Sequence, residues 1–447
     1  MRTLESSPGL ALYPDLTMKN SPGSQPDSSP NRLRTLFRLA IFIIASGSSF
    51  ANADSPFARQ YVDGPDTGFG VSMAYDRAGN PTASYESVSG SIQYAVFNGT
   101  DWDVTTVVAD AGSASPKALT ALAFSSENHP AIAFQDRNVG HLKIAEYDGE
   151  MWNISTIDST TICGEFCTIV ADSNGKYHVA YNDATNKNLK YATNVGGAWL
   201  PETVDNTTDT GFFNSIDLYS NNSPGICYYE NTDSALKYAY KDEHGAWIKV
   251  TVDSEGDTGA YCSLAIGLNE NLHIVYVNLT EYEVVHAEWD GFTWTYLTLD
   301  DRVVNYLYCS IALNGANQPA VCYIDFTNGN LYYGVRSAGF WDFQIASEGY
   351  AFTSLAFDNT GSFPLIGFQY NSDPEYGFMG VAFVPRPPPV VSAVPPAAAD
   401  SALKVAVTTK IKKLKKKIKK LKKARNSRKA AASTKKLKKL KKLLKSL

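Results

Sequence analysis

The chain has 447 residues, 44% of them apolar and 12% aromatic. That is ample for a packed core, in one large domain or two to three ordinary ones, and excludes a wholly unfolded chain. The formal charge of −5 hides a division: residues 401–447 hold 21 Lys and Arg and no acid, residues 1–53 hold five basic and three acidic residues, and 54–400 keep 14 basic and 42 acidic. A body near −28 carries a tail near +21, and the two must be read separately.

In chain order, residues 1–53 come first. Arg32, Arg34 and Arg38 precede the apolar run in "LAIFIIASGSSFANA", which ends at Ala51-Asn52-Ala53. A basic region, a short apolar core and an A-x-A site read as a secretory signal with a long leading region, cleaved before Asp54. A membrane span needs about 20 apolar residues, more than this run supplies. Export and an even set of six cysteines together suggest disulfides. The repeat offsets described below pair Cys309 with Cys322 inside one unit and Cys227 with Cys262 between two; Cys163 and Cys167 would close a small loop if Gly164 bends the chain. Cys163-Gly-Glu-Phe-Cys167 has no second Cys or His pair to complete a metal site.

Residues 54–385 are one repeated unit. "ALAFSSENHPAIAFQDRNVGHLKIAEYDGEMWNISTID" aligns with "TIVADSNGKYHVAYNDATNKNLKYATNVGGAWLPETVD", and equivalent starts fall at Ser72, Ala121, Thr168, Ser215, Ser263, Ser310 and Ser354. Each unit holds four short runs rich in Val, Ile, Tyr and Phe, separated by turns such as Asp172-Ser-Asn-Gly175. This is the pattern of four antiparallel strands. A Trp opens the fourth strand in six units, and Asp158, Asp205, Asp253 and Asp300 close it six residues on. The seventh unit runs into proline without a fourth strand, while "FARQYVDGPDTG" at the front matches "WIKVTVDSEGDTG". The N-terminal strand therefore completes the last unit, and the expected fold is an all-β, seven-bladed β-propeller closed by that strand.

The pattern S-[LI]-A, G-x-P-x-I-A-Y-x-D, L-K-Y-A, G-x-x-W, T-V-D resembles the repeats of secreted bacterial sialidase-like or BNR-type propellers across the whole body. The turn Asp148-Gly-Glu-Met-Trp152 is similar to a degenerate sialidase Asp box without its leading Ser/Thr-x-Asp spacing. The resemblance implies architecture only. Sialidase chemistry would need a three-arginine clamp, and only Arg137 and Arg302 fall in loops of one face.

Three Asp-Thr-Gly triplets, at Asp66, Asp209 and Asp257, look like protease motifs, but all lie in loops between units and read as loop-shaping residues. Six scattered histidines give no metal or triad spacing. The candidate binding face is formed by the second-to-third and fourth-to-first strand loops. It carries Asp136, Asp183, Glu230, Asn278 and Asp325, each two residues after an aromatic that includes Tyr181, Tyr228, Tyr276 and Tyr323. Acids and amides over aromatics suit sugar hydroxyls, a basic partner or Ca²⁺, and no other cofactor is implied. The alternative is that these groups merely cap turns. Binding of carbohydrate or a surface protein is favoured over catalysis; the rival is a polysaccharide hydrolase or lyase using Asp136, Asp183, Glu230 or Asp325.

Residues 386–400 form a proline-rich linker, and 401–447 a tail in which Ile and Leu recur at spacings of 3 and 4 among lysines. Like-charge repulsion opposes a helix in water, and an anionic envelope or membrane surface would induce one, bound through Lys412, Lys413, Lys416, Lys419, Lys420, Lys438, Lys439 and Lys442; the equal alternative is a solvated tail loosely associated with the acidic body. Nucleic acid has little use for the apolar stripe.

Overall fold

The computed structural model describes residues 55–384, except 116, 118, 303–305 and 374–375, together with Lys412 and Lys415. The leader, the linker and the rest of the tail lie outside the described residues. Lys412 and Lys415 are helical and exposed.

Seven four-stranded antiparallel sheets make a ring, and in six of them the strands follow chain order from the axis outward. The seventh sheet is completed from the front of the chain: Ala58–Pro65 pairs with Tyr376–Phe383, outside Pro364–Asp373 and Ala351–Phe357. The innermost strand of each blade packs against those of both neighbours, the last returning to the first, so the ring has no open end. Because first strands start on the face of the second-to-third and fourth-to-first loops, Ala58–Pro65 begins, and Tyr376–Phe383 ends, on the opposite face.

Blades hold together through apolar faces of adjacent sheets. Leu142 and Ile144 of blade 2 pack on Val179, Tyr181 and Ala192 of blade 3, all essentially inaccessible to solvent. Each large side chain so buried contributes about 1.5–3 kcal/mol.

The three Asp-Thr-Gly triplets open first strands. The Thr67, Thr210 and Thr258 hydroxyls donate to the carbonyls of Gly64, Asp205 and Asp253 at 2.6, 3.0 and 2.9 Å, tying each strand to the one before. Gly211 and Gly259 have φ of 91° and 100°, and a Cβ there would meet the Cα of Leu189 or Leu236 at 2.9 or 2.7 Å. Only glycine fits such a backbone.

Just inside these openings the ladder slips. In blade 4, Phe212 pairs with Tyr229 and the next pair is Ser215 with Cys227, so Phe213 and Asn214 oppose a single residue. Blades 1, 3, 5 and 6 bulge at the same place. A bulge bends the strand and redirects the side chains that follow.

Candidate functional site

The second-strand tyrosines face inward between blades. Tyr181, Tyr228, Tyr276 and Tyr323 are at most 2% exposed, and each hydroxyl donates to the closing aspartate of the preceding blade: Asp158 at 2.7 Å, Asp205 at 2.7, Asp253 at 2.5 and Asp300 at 2.8. Tyr85 does the same to Asp63 at 2.8 Å, across the junction that closes the ring. At the two remaining junctions both halves are absent together, Phe134 meeting Val108 and Phe368 occupying the slot whose aspartate is Ser347. The Ser347 hydroxyl is buried without a partner. Burial raises the Asp158 carboxyl, but Lys190, Thr160 and Tyr181 outweigh it and hold the group at about 2. These tyrosines, buried and bonded to the closing aspartates, are interblade latches.

The acids and amide two residues later close the second-to-third loops. Asp183 Oδ1 accepts the N–H groups of Thr185 and Asn186, Glu230 those of Thr232 and Asp233, Asn278 those of Thr280 and Glu281, and Asp325 those of Thr327 and Asn328, at 2.8–3.1 Å. All four are buried. Asp136 instead accepts the Asn138 N–H and pairs with Lys143 at 2.6 Å. Capping accounts for each of these groups. Arg137 is clamped on both oxygens of buried Glu86 at 2.9 and 3.0 Å, and Arg302 on Asp300 and the Tyr332 hydroxyl, so neither loop arginine is available to a sugar carboxylate. No group of three or more His, Cys, Asp or Glu among the described residues is arranged to hold a metal ion.

All six cysteines are free, buried thiols, so the pairings suggested by the repeat offsets are not formed in the structure. Three have another task. Cys167, Cys262 and Cys309 donate their S–H to the carbonyls of Leu119, Phe213 and Tyr261 in the preceding blade, at 3.2, 3.0 and 2.8 Å. Thr120 and Thr353 fill the equivalent places and donate to Gly70 and Tyr308 at 2.8 and 2.6 Å. A thiol here stands in for a threonine hydroxyl. Burial pushes Cys167 and Cys322 up to about 12 and Cys163 to about 11, which keeps them protonated and unreactive.

These donors form one of three stacked rings around the axis. The next residue inward is the repeat start, where Ser72, Ser215, Ser263, Ser310 and Ser354 accept a backbone N–H from the following blade, that of Leu122, Leu264, Ile311, Leu355 or Met73, at 2.9–3.2 Å. At blade 3, Thr168 donates to the Asn214 side chain at 3.0 Å instead. The preceding residue is aromatic in blades 3 to 7: Phe166, Phe213, Tyr261, Tyr308 and Phe352. Their centroids follow one another at 5.0, 4.5, 4.9 and 4.6 Å. Phe166 and Phe352 are buried at the ends of this arc, while Phe213, Tyr261 and Tyr308 are half-buried at its centre. A cavity of about 180 Å³ runs along the three rings, and no charged side chain among the described residues lines it.

The five aromatics have φ between 47° and 55°, a left-handed backbone imposed by the bulge. That conformation costs a non-glycine residue roughly 1–2 kcal/mol, and stacking of about 0.5–1.5 kcal/mol per pair offsets it in part. The arc lies two residues before the serine or threonine that starts each of these repeats. The signal was present as Phe-Cys-Thr, Phe-Asn-Ser, Tyr-Cys-Ser, Tyr-Cys-Ser and Phe-Thr-Ser immediately around the starts.

No family model matches the chain, and no curated protein matches it. Among solved structures it is similar to AofleA from Arthrobotrys oligospora, with 14% identity and a TM-score of 0.46 over 66% of this chain and 90% of that one. The fucose-specific lectin from Aleuria aurantia matches at 13% identity and TM-score 0.43, over 68% and 99% of the two chains. A protein of unknown function from Dyadobacter fermentans matches at 8% and 0.44, over 73% and 97%. Likenesses this distant decide neither ligand nor site, and the sialidase-like resemblance of the repeats goes no further than the blades.

Proposed function

We propose that the chain is an exported, non-catalytic binding module that takes carbohydrate on its channel-mouth face and is retained on an anionic surface by its tail. The observation that carries the reading is the aromatic arc, whose half-buried centre lies on the face where the sequence led us to look. Sugars offer C–H faces that stack on aromatic rings and oxygens that take O–H donors, and this mouth has both kinds of group. A glycosidase needs two available carboxylates flanking the bond, whereas Asp183, Glu230 and Asp325 are buried and engaged as caps. That favours binding over hydrolysis.

The tail reading rests on the sequence: lysines near an anionic membrane contribute about 1 kcal/mol each, and the Leu and Ile stripe inserts beside them. Retention and ligand binding separate experimentally because salt screens the first. Full-length protein incubated with insoluble polysaccharides at about 0.3 M salt, where the Debye length is roughly 5–6 Å, should sediment with at least one of them and leave it intact. Release of shorter oligosaccharides would favour the hydrolase or lyase, and no sedimentation with any polysaccharide would overturn the proposal.

A further inference from the structure

Five aromatic residues occupy a backbone position that glycine fills without strain. Blade 1 proves the point internally, because Gly70 takes the same place with φ of 55° and its blade closes on both neighbours. Closure of a blade therefore does not require a ring there. The aromatics are also consecutive, so they make an arc open at Gly70 and Leu119.

Beneath the arc the serines supply something further. Each of Ser72, Ser215, Ser263, Ser310 and Ser354 uses its Oγ as an acceptor for a neighbouring N–H, and no described protein acceptor takes its own O–H hydrogen. The Tyr261 hydroxyl likewise bonds no described side chain. The cavity thus has aromatic rings at its mouth, spare hydroxyl donors below and no charged group among its described lining residues. Its volume of about 180 Å³ is enough to admit a sugar ring.

We infer that the axial cavity is a single carbohydrate site that receives one terminal sugar residue, its C–H face on Phe213, Tyr261 and Tyr308 and its oxygens toward the serine ring. The inference rests on the glycan-binding reading above and adds place and number: one sugar per chain on the axis, in contrast to several equivalent sites between blades. The gap at Gly70 and Leu119 is where the rest of a glycan would leave. Lys117 and Glu165, 3.9 Å apart, stand beside that gap and would meet the second sugar.

The test is calorimetric titration of the full-length chain, at about 0.3 M salt to screen the tail, with a panel of methyl glycosides of neutral hexoses and 6-deoxyhexoses. One site per chain is expected for at least one glycoside. Tyr261→Gly should weaken it at least tenfold while leaving the far-ultraviolet spectrum unchanged, and Tyr261→Phe should retain it. Phe213→Gly is the second variant should Tyr261→Gly not fold. Several sites per chain, or unaltered affinity in the glycine variants, would refute the axial site and leave glycan binding standing. Sedimentation with a polysaccharide but no binding of any methyl glycoside would refute it too. If no saccharide of either kind is bound, both readings fall.

Discussion

Tyr228→Phe removes one hydroxyl from the junction of blades 3 and 4 and keeps the ring that fills the space. Asp205 is 1% exposed; its Oδ1 keeps the N–H and hydroxyl of Thr207 at 3.2 and 2.8 Å, but its Oδ2 loses the 2.7 Å bond from Tyr228. A buried acceptor deprived of its partner costs about 1–3 kcal/mol. With an unfolding entropy near 2.1 cal/mol/K per residue over about 330 residues, a loss of about 2 kcal/mol lowers the thermal midpoint by about 3 °C. Thermal and urea unfolding of Tyr228→Phe, Asp205→Ala and the double variant should give a coupling above about 1 kcal/mol. Burial raises the Asp205 carboxyl, but Tyr228 and Thr207 more than compensate, so its folded pKa lies below the ordinary aspartate value of about 3.9. The stabilisation is therefore complete above that pH and is lost as pH falls through the folded value, and the variant should lose less stability on acidification than the wild type. A Tyr228→Phe protein within about 0.3 kcal/mol of wild type, or purely additive variants, would refute the latch.

Other expectations follow from the same contacts. Gly259→Ala places a Cβ 2.7 Å from the Leu236 Cα at a φ of 100°, and should cost more than about 2 kcal/mol or prevent folding, read by urea unfolding. Non-reducing thiol titration should find six reactive cysteines after denaturation and none before it; four or fewer in the denatured protein would mean a disulfide. His273 and His286 stack at 5.3 Å between blades 5 and 6, and burial lowers both, His286 to about 3 with His273 and Arg336 also disfavouring its charge. The unfolded chain binds protons there first, so stability should fall as pH drops below about 6.5. Replacing both by apolar residues should flatten the unfolding midpoint between about pH 6.5 and 4, and an unchanged slope would contradict the assignment.

The period of the repeats made the propeller and its closure legible. "FARQYVDGPDTG" matched a fourth strand because strand chemistry repeats along with blade geometry, and Ala58–Pro65 does complete the last sheet. The candidate face was legible only as a face. Tyr228 and Glu230 carry the residue types of a ligand site, yet alternation along a strand does not say whether a tyrosine points at solvent or at the next blade. The paired loss of tyrosine and aspartate at Phe134 with Val108 and at Phe368 with Ser347 was the written sign of a latch. Cys309 has the residue type of a disulfide half, but its equivalent in the next unit is Thr353, which marks the position as a hydrogen-bond donor. The arc escaped for a backbone reason: only the bulge at Phe213 and its equivalents turns these side chains to the axis, and a two-residue period carries no mark of it.

Glycan binding at the channel mouth is tested most directly by a glycan array probed with the wild-type chain and with Tyr261→Gly side by side, at about 0.3 M salt. Wild type should be retained on a subset of neutral glycans sharing one terminal sugar, and the variant should lose that signal. Equal signals from the two proteins, or a wild type silent across the array, would contradict the account.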